Sequence, residues 1–393
     1  MTLRVGFLTT HPIQYQVPVF RHLAQMPGLD FTVFYCQIPD AAMQGAEFNV
    51  PFQWDLPLLD GYESRVLKNI SRQPGVMTFS GCDTPEIDDI LRNGPFDAFV
   101  INGWHVKSGL QGLWACRRHG VPCLVRGEAN DLRKRAWWKK RLQAWLVRQY
   151  AGCLAIGREN AAFYRARGVP ADRVFSSPYC VENERFAAAA DPERRRLARK
   201  RWNVADHEVC FLFSGKLIDK KHPRELIIAF REAIVGATAR LLMVGDGPLR
   251  QDCEAMAQQH QLPVTFTGFL NQTEILDAYA AADALVLPSD AGETWGLVVN
   301  EAMAAGKPAI VSNRAGCAGD LILPDETGCV FPYPDWTALA DTLRRWSADR
   351  AQLLRMGERA REHIRAYTPR VAADGIWDAV RTVARRRSPA RSV

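Results

Sequence analysis

The ten cysteines of this chain come singly, at positions 36, 82, 116, 123, 153, 180, 210, 253, 317 and 329, with no C-x-x-C and no paired Cys/His spacing. Metal ribbons and a disulfide framework are disfavoured on that account, and reduced thiols of a cytosolic protein are the simplest reading. No eighteen apolar residues run together, so no membrane span is predicted. The start, MTLRVGFLTTHPIQY, has one arginine and a short apolar run that meets His11, Pro12 and Gln14, which reads as a first strand and not as a signal peptide. No D-x-D triplet occurs, so the acidic signature that holds a divalent cation against a diphosphate is missing. A full G-x-G-x-x-G is missing too. In VGDGPLR, residues 244–250, Gly245 and Gly247 follow an apolar run but Arg250 occupies the third place, and the first turn, TTHPIQY, has no glycine. An NAD-dependent oxidoreductase is therefore a poor second choice.

What is present is an ordinary globular composition, 47% hydrophobic and 24% charged over 393 residues, too long for one comfortable core. Short β-rich apolar runs alternate with amphipathic helical stretches, the pattern of parallel α/β layers. Strands are predicted at 3–8, 31–36, 98–101, 122–125 and 153–156, and again at 209–214, 240–244, 264–267, 284–287 and 309–312. Between the halves, Asp191 and Pro192 open a helix in the favoured way. Its sequence, RRRLARKR, offers little apolar face, which predicts a linker with an exposed basic helix. The boundary is placed near 185–205, with one domain over 1–190 completed by 370–393 and a second over 205–369. The final ARRRSPARSV is expected to be frayed and solvated. A net charge of +7 suits nucleic acid, anionic lipid or anionic substrate alike, and only its distribution can choose.

The chain is organised around LVLPSDAGETWGLVVNEAMAA, residues 285–305, which reads as strand, loop and helix start. Glu293 lies in the loop and Glu301 two turns down the helix. The amides of Thr294, Trp295, Gly296 and Leu297 face outward at the helix N-terminus, where unpartnered N–H groups and the macrodipole favour an anion. A capped helix with two solvated acids is the bland alternative. The surrounding TWGLVVNEAMAAGKP weighs against it, because E-x7-E followed by AMAAGKP closely resembles the donor site of family 4 retaining glycosyltransferases.

That resemblance implies the GT-B fold: α/β, two Rossmann-like parallel-sheet domains facing a cleft, with a C-terminal helix, here carrying Trp377 and Val380, crossing back to the first domain. It implies that Glu293 lies against the transferred sugar and Glu301 binds the nucleotide ribose. In FSGKLIDKKH the basic residue after Gly215, Lys216, and Lys221 five positions later would neutralise the donor's diphosphate. Many relatives have Arg where this chain has Lys216, which keeps the charge without the bidentate fork. Basic residues in a polar loop are by themselves mostly solvated surface; the later E-x7-E, in the family's order, makes the functional reading the better one. Gly245 would line the nucleotide pocket. In SNRAGCAGDLI, Gly316 keeps the first of a glycine pair, while Cys317 replaces the second and Asp320 replaces a glutamate. No cofactor and no metal are predicted, since lysines and a helix N-terminus take the cation's place.

On the acceptor side, THPIQYQVPVF places His11 and Gln14 after the first strand, and RGEANDLR places Glu128 and Asn130 after another. Loops beyond the carboxyl ends of parallel strands line ligand sites. Equally, His11 can simply cap a helix and Glu128 can pair with Arg126 or Arg133. HPIQY and RGE-ND resemble a bacterial subset of the family. Many relatives carry a histidine where this chain has Glu128, and His105 in INGWH is near in sequence. From 133 to 148 the chain reads RKRAWWKKRLQAWLVR, with seven basic residues, no acid and three tryptophans. Trp138, Leu142 and Trp145 form an i, i+4, i+7 stripe that suits an anionic membrane surface, although a core-packed helix with a solvated cationic face is the commoner structure. No RNA-binding motif accompanies the patch, so nucleic acid is not expected.

The resemblance thus implies a glycosyltransferase of hexosyltransferase type. It would use a UDP- or GDP-linked sugar and a glycan, lipid-linked or small-molecule hydroxyl, in bacterial surface polysaccharide or glycoconjugate synthesis. It would be cytoplasmic, or peripheral on the inner face of the membrane. A GT-B nucleotide-sugar epimerase and a non-catalytic sugar-nucleotide-binding protein are the alternatives.

Overall fold

A computed structural model describes residues 2–45, 50–235 and 238–387. These form two compact units, one from the described residues of 1–43, 56–179 and 369–393, the other from those of 44–55 and 180–368. The first carries seven strands: β1 Leu3–Thr9, β2 Leu29–Tyr35, β3 Glu63–Val66, β4 Ala98–Asn102, β5 Cys123–Arg126, β6 Gly152–Ala155 and β7 Val174–Ser176. The second carries six: β8 Val209–Ser214, β9 Ala239–Val244, β10 Val264–Gly268, β11 Ala284–Leu287, β12 Ala309–Ser312 and β13 Gly328–Phe331. All neighbouring strands are parallel, in the orders β3-β2-β1-β4-β5-β6-β7 and β10-β9-β8-β11-β12-β13. Each is a doubly wound sheet whose order reverses beside its first strand, at β1/β4 in one unit and β8/β11 in the other.

The central strands are continuous apolar runs because helices cover both faces; every residue of β8, VCFLFS, is buried. The ten predicted strands are all present. The three that the pattern misses, β3, β7 and β13, lie at sheet edges, where burial is partial and the apolar run is lost. The helix Pro369–Arg387 packs on the first unit, with Ile376, Ala379 and Val380 buried. Alanine in place of Gly375 would put its Cβ 1.8 Å from the Ser176 carbonyl oxygen. Trp377 is only half-buried, under the Arg381 guanidinium at 5.5 Å. Of the tail expected to fray, residues 388–393 lie outside the described residues.

The expected exposed linker helix is corrected on one face only. Pro192–Arg201 is a helix, and Asp191 caps it by accepting from the amides of Glu193 and Arg194 at 2.7 and 3.3 Å. Two of its basic residues, Arg195 and Arg199, turn inward, while Arg196, Lys200 and Arg201 stay exposed. Arg195 and Arg199, one turn apart, both reach Asp283 at 2.7 and 3.2 Å, and Arg350 joins at 3.3 Å. Arg195 also donates to the carbonyls of Ala280 and Ala282, and Arg199 to that of Ala281, so guanidinium groups satisfy the C-terminus of the helix Ile275–Ala281. An apolar-face criterion cannot find a helix that docks through arginine.

Burial works to raise the Asp283 carboxyl, but Arg195, the Cys210 amide at 2.8 Å, Arg350 and Arg199 together hold it below the usual range. A depressed native pKa means that this contribution is complete above the unfolded value and is lost as pH falls through the folded one. Asp283→Asn is therefore expected to lower the unfolding free energy near neutral pH by about 3 kcal/mol, since buried guanidinium groups lose their counter-charge. It should also flatten the acid limb of stability against pH. Urea unfolding from pH 7 downward checks this, and an unchanged acid limb would count against the pin.

Candidate functional site

The loops singled out in the second half leave the carboxyl ends of β8 and β11, the two strands that flank the reversal of that sheet. After Ser214 come Gly215 and Lys216, whose carbonyl accepts from the Ile218 amide at 3.1 Å, then a single 3-10 turn over Asp219–Lys221. After Leu287 come Ser289 to Gly296 and the helix Leu297–Ala304. The two loops are clasped. The Asp290 amide donates to the Lys220 carbonyl at 3.0 Å, and the Lys220 stem lies where a Cβ on Gly292 would meet it at 3.2 Å.

The clasp brings Lys221 and Glu293 together. The Lys221 ammonium donates to Glu293 Oε2, with both side chains about an eighth exposed, and Ser289 Oγ donates to the same oxygen at 3.4 Å. Burial is the largest influence on Glu293 and opposes ionisation. The Lys221 charge and hydrogen bond, the Lys220 charge and the Ser289 hydroxyl outweigh it and hold the carboxyl below its usual range. Lys221 also passes over Gly215, where a Cβ would lie 3.6 Å from its Cε. Close by, the Gly296, Leu297 and Val298 amides at the start of the helix Leu297–Ala304 have no hydrogen-bond partner among the described residues. A cation beside unpartnered amides is a place for an anion.

Glu301 has a different partner. It is buried on the same helix, and Tyr279 donates to its Oε2 at 2.5 Å. Tyr279 itself is packed edge-on against Phe186, with centroids 5.6 Å apart. Sequence reasoning missed Tyr279, which sits among the alanines of the helix ILDAYAA, and Ser289, one residue past an apolar run. Trp295 also turns inward, its indole donating to Asn300 at 2.8 Å.

Two close backbone approaches shape the loops. A Cβ on Gly245, whose φ is +126°, would fall 1.9 Å from the Gly215 carbonyl oxygen, so the turns after β9 and β8 touch backbone to backbone. A Cβ on Gly316 would fall 1.9 Å from the Thr294 oxygen, and the Gly316 and Cys317 amides donate to the carbonyls of Glu293 and Trp295, each at 3.1 Å. Cys317 is buried there without disturbing that pairing. The main chain of Asp320 accepts from His363 at 2.9 Å and Tyr367 at 3.2 Å.

In the first unit, His11, His105 and Glu128 follow β1, β4 and β5, again at the carboxyl ends around a sheet reversal. The His11 ring is held at about 4 by burial and secondarily by the charge of His105. His105 is lowered by desolvation, with Glu128 acting the other way. His105 and Glu128, noted in the sequence as near one another, thus lie within electrostatic reach. His11 Nδ1 is 2.9 Å from Thr10 Oγ1, and the helix Val17–Ala24 has no side-chain cap, so His11 does not cap it. Glu128 accepts from the Tyr179 hydroxyl, while the Arg126 guanidinium lies 4.7 Å over the Tyr179 ring. Gln14 is buried, and Asn130 accepts from the Leu132 amide at 3.2 Å as a turn-former.

The helix Trp137–Val147 buries only Leu146 and Val147. Trp137, Trp138, Leu142 and Trp145 are 72%, 53%, 55% and 48% exposed. The core-packed alternative for that stripe is therefore corrected. Trp145 meets Trp114 of the helix Lys107–Arg118 at 5.9 Å, with Arg117 over Trp114 at 5.8 Å, so the apolar surface spans two helices. Among the described residues no helix is long and apolar enough to cross a membrane, and no group of three or more His, Cys, Asp or Glu is placed to hold a metal ion.

Residues 194–363 match the family model described as glycosyl transferases group 1, and residues 20–180 the one described as glycosyl transferase 4-like domain. The GDP-mannose-dependent alpha-mannosyltransferase of Mycobacterium tuberculosis is 34% identical over 258 residues, 61% of this chain and 62% of that protein. Sulfoquinovosyl transferase SQD2 of Arabidopsis thaliana is 39% identical over 141 residues, 35% of this chain and 27% of that protein. The chain thus spans between 27% and 62% of the length of these curated relatives. Among solved structures, Anabaena HepE in complex with UDP and glucose superposes with a TM-score of 0.75 over 97% of this chain and 100% of that one, at 16% identity. The chain has the GT-B fold, and its two halves match two glycosyltransferase domain models.

The backbone contacts generate a test independent of function. Gly245→Ala and Gly316→Ala should each lower the unfolding free energy by about 2 kcal/mol or more, because the added methyl meets a carbonyl oxygen and not a movable side chain. Gly319→Ala, where nothing lies within 4 Å, should change it by less than about 1 kcal/mol. Denaturant midpoints of the three variants check this, and equal midpoints would contradict the loop packing.

Proposed function

We propose that the chain is a family 4 retaining glycosyltransferase that moves a sugar from a UDP- or GDP-linked donor to a hydroxyl of a glycan, lipid-linked or small-molecule acceptor. Its setting is bacterial surface polysaccharide or glycoconjugate synthesis. The observation that carries this reading is the Lys221–Glu293 contact at the reversal of the second sheet, beside the amides that start the helix Leu297–Ala304 and have no partner among the described residues. The GDP-mannose in the name of the Mycobacterium tuberculosis relative and the UDP in the Anabaena complex support a nucleotide-sugar donor.

In this reading the diphosphate lies against Lys216, Lys221 and the amides of 296–298, with Gly215 and Gly245 giving it room. Glu301 holds the ribose and Glu293 the transferred sugar. The acceptor hydroxyl approaches from the side the diphosphate leaves, the leaving phosphate takes the acceptor proton, and the cations and amides stabilise the negative charge that develops on it. Charge neutralisation by lysine and backbone is the basis for reading the transfer as metal-independent. His11, Gln14, Glu128 and Asn130 of the first unit are assigned to the acceptor side, together with His105.

We place the chain in the cytoplasm, peripheral on the inner face of the membrane; the support for the membrane is the surface around 133–148, where exposed tryptophans lie among exposed Arg133, Lys134, Lys139, Lys140, Arg141 and Arg148 with no acid in the segment. Trp138→Ala with Trp145→Ala should abolish co-sedimentation with phosphatidylglycerol vesicles while leaving thermal stability unchanged. Vesicle binding that survives the double substitution would remove the membrane from the account.

For the donor site, a thermal-shift screen of nucleoside diphosphates and their sugars should raise the melting temperature with one base selectively. Glu301→Ala should weaken nucleotide binding, whereas Lys216→Ala or Lys221→Ala should slow transfer about a hundredfold with a smaller effect on nucleoside binding. Unaltered donor kinetics in all three would refute the site. Turnover of the sugar nucleotide without acceptor, giving a free sugar epimer, would favour an epimerase, and an intact donor after long incubation would favour a binding protein.

A further inference from the structure

His222 follows Lys221 directly and adopts a left-handed backbone, φ 50° and ψ 47°, in front of Pro223. Side chains resist that conformation, and a following proline favours extended backbone, so something must hold the residue there. Its ring is held from three sides. Tyr333 and Trp336 pack against it with centroids at 5.1 and 5.2 Å, and Nε2 lies 3.1 Å from the Tyr333 hydroxyl. Nδ1 lies 3.4 Å from Glu225 of the helix Pro223–Ala233, and Nε2 lies 3.9 Å from Asp290, three residues before Glu293. The ring therefore reaches the first turn of the helix that follows Lys221, the loop that carries Glu293, and the start of the helix Trp336–Ala348 with the connection before it.

We propose that His222 is a positioning residue that sets Lys221 against Glu293 by locking the left-handed turn between them onto Tyr333 and Trp336. The proposal rests on the donor-site reading for its catalytic consequence and on geometry alone for its structural one. Relaxing residue 222 frees the Lys221 side chain at the end of the 3-10 turn to leave Gly215 and Glu293. The backbone tie from Asp290 to Lys220 remains, so the loops stay together while the contact between the side chains is lost.

Two variants separate the ring from the backbone. His222→Gly keeps the left-handed turn accessible and removes the ring; Tyr333→Phe keeps His222 and removes one of its partners. The first measurement is the rate at which an amine-specific succinimidyl ester acylates Lys221, read by peptide mass mapping. It should rise several-fold in His222→Gly and less in Tyr333→Phe, and a rate equal to that of the parent protein in both variants overturns the proposal. The second is a double-mutant cycle on kcat for the sugar nucleotide. His222→Gly should lower kcat about tenfold in the parent and less than twofold in Lys221→Ala, since misplacement acts only through the lysine. Equal factors in both backgrounds would make His222 merely structural. Because acylation needs no turnover, an inactive parent protein would sink the donor-site reading and leave the positioning role to be decided by the labelling.

Discussion

A lysine and a glutamate enclosed together where the second sheet reverses its strand order set the terms for everything around them. Two ions taken out of water must satisfy one another and find further polar partners. Lys221 and Glu293 do so with Ser289 as the third member. The pairing joins the turn after β8 to the loop after β11, where Gly292 leaves room for the Lys220 stem, while Gly245 and Gly316 let the neighbouring turns approach those loops backbone to backbone. Glycine placement thus shapes the loops that the charge pair joins. What the pair leaves is a fixed cation close to amides that have no partner among the described residues, and on the proposed reading this is a preorganised arrangement for stabilising developing negative charge.

The two units solve a common topological problem with opposite chemistry. In the second, the strands at the reversal lead to lysines and helix amides. In the first, they lead to two imidazoles whose protonated forms are disfavoured by burial and to a carboxylate held by Tyr179. On the proposed reading this division matches the two substrates: a diphosphate demands positive potential, whereas a neutral hydroxyl needs hydrogen-bond partners that do not carry competing charge.

Much of this was legible in the amino-acid order, and the pattern of what was not has physical causes. Central strands such as β8 and β11 are covered on both faces and announce themselves as apolar runs; edge strands β3, β7 and β13 do not. Glu293, Lys221 and the glycines were found because charge and conformational freedom are written in residue type. Tyr279 and Ser289 were not, since their contribution depends on which distant carboxylate they meet. The helix 192–201 was misjudged because its burial runs through guanidinium groups on Asp283, and composition reads arginine as surface. The described residues of 44–55 were placed with the first half, yet Phe52 stacks on Phe269 of the second unit with centroids 4.1 Å apart. The stripe on 137–147 was legible as a spacing of apolar residues, but only the fold decides that its tryptophans face outward.

The most direct measurement is a crystal structure of the chain with UDP or GDP bound. The account predicts pyrophosphate density in contact with the ammonium groups of Lys216 and Lys221 and the amides of 296–298, and ribose hydroxyls on the Glu301 carboxylate, with Tyr279 retained as its second partner. Density for the nucleotide away from the β8 and β11 loops, with the Lys221–Glu293 contact undisturbed, would contradict it.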